Sequence, residues 1–152
     1  MDVKEQINLS FLGIVIPNVV FNSFQPITIE NHTQAAINLN VVPKVYYRPD
    51  DKNFFSVIME VKVSASGYFD LSFIAIGNFN LSAGISDPQI KKGFININAP
   101  AILFPYVRSF VSTFTANLGN IMGGLTLQTQ FFTGEMEEFV PNPEITLPTI
   151  PS

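Results

Sequence analysis

Residues 98–119 read NAPAILFPYVRSFVSTFTANLG, the one long helical pattern in a chain that otherwise reads as strands. At helical spacing Leu103, Val107, Phe110, Phe114 and Leu118 fall on one face, widened by Phe104 and Val111. A stripe this apolar has to be covered. In a strand-rich chain the cover is a sheet, so the fold is constrained to a helix lying on a sheet face. Asn98 precedes Pro100 as a cap, and Asn117, Leu118 and Gly119 supply a stop. Pro105 lacks an N–H and disfavours helical geometry at Phe104, so either the regular helix begins near Pro105 or it bends there. Ser109, Ser112, Thr113 and Ala116 gather on the opposite face, which is small and uncharged. Solvated helix faces usually carry Lys and Glu. Two readings stay open: these four residues form an oligomer interface with a symmetry mate, or the face is merely wet.

Ahead of this helix the periodicity is two. Residues 6–16 alternate and then turn apolar on both faces at Leu12, Ile14, Val15 and Ile16, a strand covered on both sides in its second half. Residues 17–26, bounded by prolines, read as a crossing loop that carries Phe21 and Phe24. Residues 35–47 are a strand in which Pro43 marks an edge or a bulge. A polar turn over 48–53 leads to a strand over 54–66, where Phe55, Val57, Met59, Val61 and Val63 share a face. Ser66 and Gly67 turn the chain into a strand over 68–82, with Gly77 read as a bulge. Residues 87–92 suggest a helical turn. After the main helix, 125–132 read as strand-like. The fold class is therefore α+β: four antiparallel strands with one long helix packed on the sheet. Residues 1–140 form one domain and 141–152, with four prolines, an extended tail.

Little in the chain carries chemistry. His32, the single histidine, sits in a polar turn; Asp50 and Asp51 lie beside Arg48 and Lys52 without cation-loop spacing; Glu135, Glu137 and Glu138 read as wet surface. There is no cysteine, so disulfides and cysteine metal sites are excluded. We therefore expect no enzyme, no cofactor and no metal. A net charge of −4 argues against nucleic acid. The N-terminus carries Asp2 and Glu5 where a signal peptide needs positive charge, and no segment is long enough to span a membrane; the expectation is a cytoplasmic protein without membrane insertion.

Apolar surface is the stronger signal. Only 13% of residues are charged against 47% hydrophobic, with fifteen Phe, so some apolar area is expected to face a partner, a subunit or a ligand. Phe21, Phe24, Phe54, Phe55, Tyr68, Phe69, Phe131 and Phe132 fall at strand ends or in loops. Either they line a groove for extended hydrophobic segments, or the loops fold back and make them a second core layer.

The segment from Ala101 to Arg108, AILFPYVR, resembles the NILFPYAR signature that opens the main helix of the SecB family of protein-export chaperones. Pro17 and Asn18, the run Phe24, Gln25 and Pro26, and the run Ala83, Gly84 and Ile85 are similar to the family's PN, WQP and AGI segments, so the likeness covers residues 6–119. The resemblance implies a four-stranded sheet carrying a helix, a dimer of dimers with the main helices between the sheets, and a long groove for unfolded polypeptide. Phe24 then replaces a groove-lining tryptophan and Phe21 a nearby aromatic, while Tyr106 and Arg108 match structural positions at the helix start. In that family an acidic patch on the exposed sheet face docks the translocation motor. Aligned here, those positions fall on Phe11, Val15 and Phe73, all apolar. The family's second helix and its cysteine-containing zinc tail have no counterpart. These departures argue against delivery to that motor and leave a sheet face for the tail or another partner.

The expectation is an ATP-independent holdase, serving export or one dedicated client such as an antitoxin. A carrier of a small apolar ligand, which would need an enclosed cavity between sheet and helix, and a structural assembly subunit are the alternatives.

Overall fold

The computed structural model describes residues 8–82 and 87–141. Ala83, Gly84 and Ile85 and the tail beyond Pro141 lie outside the described residues. In chain order the elements are β1 (Leu9–Ser23), β2 (Ile37–Tyr47), β3 (Phe54–Ala65), β4 (Phe69–Leu81), α1 (Pro88–Ala116) and β5 (Glu137–Glu138). They form a five-stranded sheet in the order β1-β4-β3-β2-β5. The four long strands pair antiparallel, and the two-residue β5 adds to β2 in parallel, so the sheet has five strands where four were expected.

One face of the sheet carries the core. In-register pairs Phe55 and Phe79, Met59 and Ala75, Val61 and Phe73, and Val63 and Leu71 all point toward α1, and Ile95, Ala99, Leu103, Val107 and Val111 of the helix close over them. This four-residue spacing is the helix stripe that rests on the sheet. The interface is filled: Met59, Val63, Leu103 and Val107 are inaccessible to solvent.

Aromatic rings tie the layers together across the sheet. Phe55 stacks on Phe79 at 5.3 Å, Phe79 meets Phe11 at 5.3 Å, and Phe11 meets Tyr106 of α1 at 4.7 Å. Toward the other end Phe73 makes an edge contact with Phe110, and Phe21 contacts Phe69 and Phe114.

Several elements differ from the sequence reading. The helix begins at Pro88, ten residues before the predicted start, capped by Asp87, whose carboxylate accepts the Gln89 N–H at 2.9 Å. It runs through both Pro100 and Pro105. Strand β1 continues through Pro17 to Ser23, so the crossing loop moves to residues 24–36 and Phe21 becomes a strand residue. Two register shifts, between Phe11 and Gly13 and between Val15 and Asn18, rotate the strand. They bring Phe11, Ile14, Ile16 and Phe21 to the helix side in turn, which is why the sequence looks apolar on both faces. Gly77 is no bulge: it pairs in register with Val57 and lies under Leu103. Residues 125–132, read as strand-like, form no strand.

Candidate functional site

Strand β2 is the sheet's last long strand, and its outer edge is only partly occupied. The carbonyl of Val45 accepts the Phe139 N–H at 2.7 Å on that edge, while Arg48 donates to Phe54 of β3. Strand alternation then turns the N–H and C=O of Leu39 and Val41 outward, away from β3. Pro43 shares this register, so its missing N–H falls on the open side and the ladder to β3 is intact. The expectation of an edge position for Pro43 is met. Beyond Lys44 and Val45, which pair with β5, no described segment pairs with the outer side of β2.

A strap formed by residues 119–139 makes the facing wall. It returns along α1, antiparallel to it, held at intervals by the helix. The Leu125 N–H donates to Thr115 Oγ1 at 2.8 Å, and Arg108 Nε donates to the Leu127 carbonyl at 2.9 Å. Phe132 packs edge-on against Phe104 at 5.5 Å, and Asn96 Oδ1 accepts the Met136 N–H at 2.7 Å. Asn96 and Thr115 are buried polar residues satisfied by this strap: Asn96 also donates to the Lys92 carbonyl and Thr115 to that of Val111. Lys92 and Glu135 form an exposed ion pair, and the Glu135 carboxylate pushes the Lys92 ammonium above the usual lysine range. Burial raises the Tyr47 phenol, against the pull of the nearby Lys92.

Between β2 and the strap lies a notch of about 400 Å³, lined by Val41, Val42, Pro43, Phe131, Phe132 and Met136 among others. Phe131 is 90% exposed at its rim. At the far end of β2, where Ile37 pairs with Ala65, the crossing loop and helix end expose Phe24, Ile29 and Met122. Phe24 is fixed there by its N–H to the Tyr68 carbonyl at 2.7 Å and is 65% exposed. The open edge is thus a run of free main-chain groups beside the Phe131 notch, with a second exposed apolar cluster at the end of the sheet where β2 begins.

The predicted aromatic residues divide accordingly. Phe131 and the half-buried Phe132 line the notch beside the edge, and Phe24 is exposed over the β3–β4 hairpin. Phe55 and Phe69 are corrected: each is 2% exposed and belongs to the core, because its strand parity faces the helix. Phe21 is half-buried among Phe69 and Phe114 on the helix face at the β1 edge of the sheet, Tyr68 is half-buried at the hairpin, and Phe54 lies under the Arg48 guanidinium at 5.2 Å. Of the residues placed on the exposed sheet face, only Val15 is there, opposite Ile76. Phe11 and Phe73 face the helix, where they contact Tyr106 and Phe110. The outer face instead holds Ile58, Ile74 and Ile76, with a shallow hollow of about 290 Å³ between polar and apolar side chains. On α1, Ser109, Thr113 and Ala116 are exposed and Ser112 is half-buried. Sequence reasoning missed Ile37, Leu39, Val41 and Val42; the signal was Pro43, which marks the strand as an edge.

Among the described residues no three His, Cys, Asp or Glu side chains group to hold a metal ion, and no helix is long and apolar enough to cross a membrane.

A family model described as preprotein translocase subunit SecB matches residues 2–128. An uncharacterized protein of Methanocaldococcus jannaschii is 30% identical over 91 residues, 58% of this chain and 59% of that protein. The chain thus spans less than two thirds of this relative's length. Among solved structures, the SecB-like chaperone Rv1957 of Mycobacterium tuberculosis, in complex with a ChAD peptide from the HigA1 antitoxin, superposes with a TM-score of 0.67. The match covers 80% of this chain and 90% of that one at 17% identity, a likeness of fold.

Proposed function

This chain belongs to the SecB family, and on that premise we propose that it is an ATP-independent holdase that binds non-native polypeptide in extended form along the open edge of β2. The observation that carries this reading is the free main chain at Leu39 and Val41 beside the notch rimmed by Phe131, with the exposed Phe24 at the end of the sheet where β2 begins. Main-chain hydrogen bonds are blind to sequence, whereas the apolar clusters select segments that a folded client would bury. That combination suits a holdase, which binds the unfolded state and so competes with aggregation by mass action. The mycobacterial chaperone was solved with an antitoxin peptide, which supports a polypeptide as the client class. Export and service to a single dedicated client are two forms of this activity, exercised in the cytoplasm and with no catalytic step. Self-association through the uncharged outer ridge of α1, which includes Ser109, Thr113 and Ala116, is part of the proposal.

The test is light scattering from a chemically unfolded protein diluted with and without this chain, in the absence of ATP. Suppression of aggregation is expected at near-stoichiometric ratios. The variant Phe24→Ser with Phe131→Ser removes two exposed rings without touching the core, and is expected to weaken client affinity roughly tenfold or more, from the apolar area withdrawn. Absence of suppression by the unaltered chain, or unchanged suppression by the double variant, would overturn the assignment.

A further inference from the structure

We infer that residues 134–139 are a displaceable latch on the β2 edge, giving the groove a short state from Ile37 to Pro43 and a long state that continues past Val45. The inference rests on the proposed use of that edge by extended polypeptide. It starts from Pro43, which has no N–H and so interrupts any ladder on the outer side of β2. On one side of this interruption Leu39 and Val41 are open. On the other, Val45 is already taken by the chain's own β5, through Lys44 opposite Glu137 and Val45 opposite Glu138. An incoming strand that crosses Pro43 gains the Val45 pairing only if β5 leaves.

The tip is built to leave more easily than the rest of the strap. Its ladder is two residues long, and its ion pair, Lys92 with Glu135, has both side chains more than half exposed, so the pair adds little. Glu137, Glu138 and Val140 are exposed, and Met136 is the tip's one buried side chain. Upstream the strap is anchored by the buried Ile121 and Leu127 and by Phe132 on Phe104. Gly134, at φ 86°, stands at the junction in a conformation that other residues rarely adopt. Beyond the Met136 side chain and its N–H bond to the buried Asn96, the tip makes few buried contacts, and a segment so held lies at the low-stability end of a fold. The tip also lies past residue 128, where the family match ends, so the latch belongs to a part of the chain that the match does not cover.

Because the chain has no cysteine, a single engineered disulfide can hold the tip down. In Lys44→Cys with Glu137→Cys the two thiols face each other in the β2 to β5 register, and reduction reopens the same protein. The probes are fluorescein-labelled peptides of alternating valine and threonine with terminal lysines, about seven and about eleven residues long, spanning the short and the long edge. The shorter peptide is expected to bind oxidised and reduced protein alike. The longer is expected to bind the reduced form about tenfold more tightly, the worth of one or two net hydrogen bonds. A second variant, Phe139→Pro, removes the N–H that the Val45 carbonyl accepts, and is expected to tighten the longer peptide without changing the shorter. If the longer peptide binds locked and open protein equally, or the lock weakens both peptides alike, the latch is wrong and the edge reading stands. If neither peptide binds any form, both fall together.

Discussion

At the scale of single residues, the fit of α1 to the sheet turns on Gly77. A methyl group placed there would stand 2.8 Å from Leu103 Cδ1 and 3.1 Å from the Phe79 ring. Leu103 is itself fully buried and hemmed in by the core, so it has little room to retreat. Gly77→Ala is therefore expected to lower stability by about 1–3 kcal/mol through overpacking, read as a shift of the urea midpoint with unchanged slope. Leu103→Ala should relieve the clash, so the double variant loses less than the sum of the two single losses. A neutral Gly77→Ala would mean that the helix rides higher on the sheet than the contacts indicate. An isolated glycine in a strand signals either a bulge or a close approach, and only the partner strand and the helix above decide between them. The sequence reads the first; the packing requires the second. The misplacement of Phe55 and Phe69 has a different cause, because their parity with Val57 and Leu71 was legible and the position near a strand end outweighed it.

At the scale of elements, the class of each long strand and the presence of the helix were legible, and the errors gather at prolines. Pro17, read as the end of β1, lies between the two halves of a strand that a bulge keeps in register with β4. Pro100, read as following the cap, and Pro105, read as either the start of the regular helix or a bend in it, both lie inside it. They survive because the helix is held by burial on two sides: Ile95, Ala99, Leu103 and Val107 on the sheet, Asn96, Phe104 and Thr115 under the strap. Tertiary packing of this kind overrides propensity. Pro105 is exposed, so replacing it exchanges few contacts. Pro105→Ala restores the N–H that the Ala101 carbonyl lacks and is expected to raise stability by roughly 1–3 kcal/mol, visible as a higher Tm. A loss of stability instead would show that Pro105 itself is needed to keep Leu103 and Val107 in contact with the sheet.

At the scale of the whole molecule, the layer arrangement follows from two periodicities that the sequence displays, period two before the helix and an apolar stripe within it. The strap does not announce itself, because residues 119–139 carry no period and owe their position to polar partners on α1 that lie between 10 and 40 residues back in the sequence. What the layers leave bare is a ridge of the helix on the side away from the sheet. Ile97, Ala101, Pro105, Ser109, Thr113 and Ala116 are all exposed along it, a span of about 30 Å at helical rise, without one charged side chain among them. Tyr106 beside them is half exposed. A ridge of small and apolar residues admits a second backbone at close range, and a second copy of the same helix is the partner whose shape repeats the ridge. The expected result is a particle heavier than the 16.8 kDa of one chain, measured by sedimentation across a range of concentrations. Ser109→Arg with Thr113→Arg puts two charges in the middle of the ridge, where burial without partners is unfavourable, and should return the protein to one-chain mass. Because both positions are exposed in the single chain, circular dichroism should be unchanged. A one-chain mass before any substitution would instead leave the ridge bare, and would show that each open β2 edge acts alone.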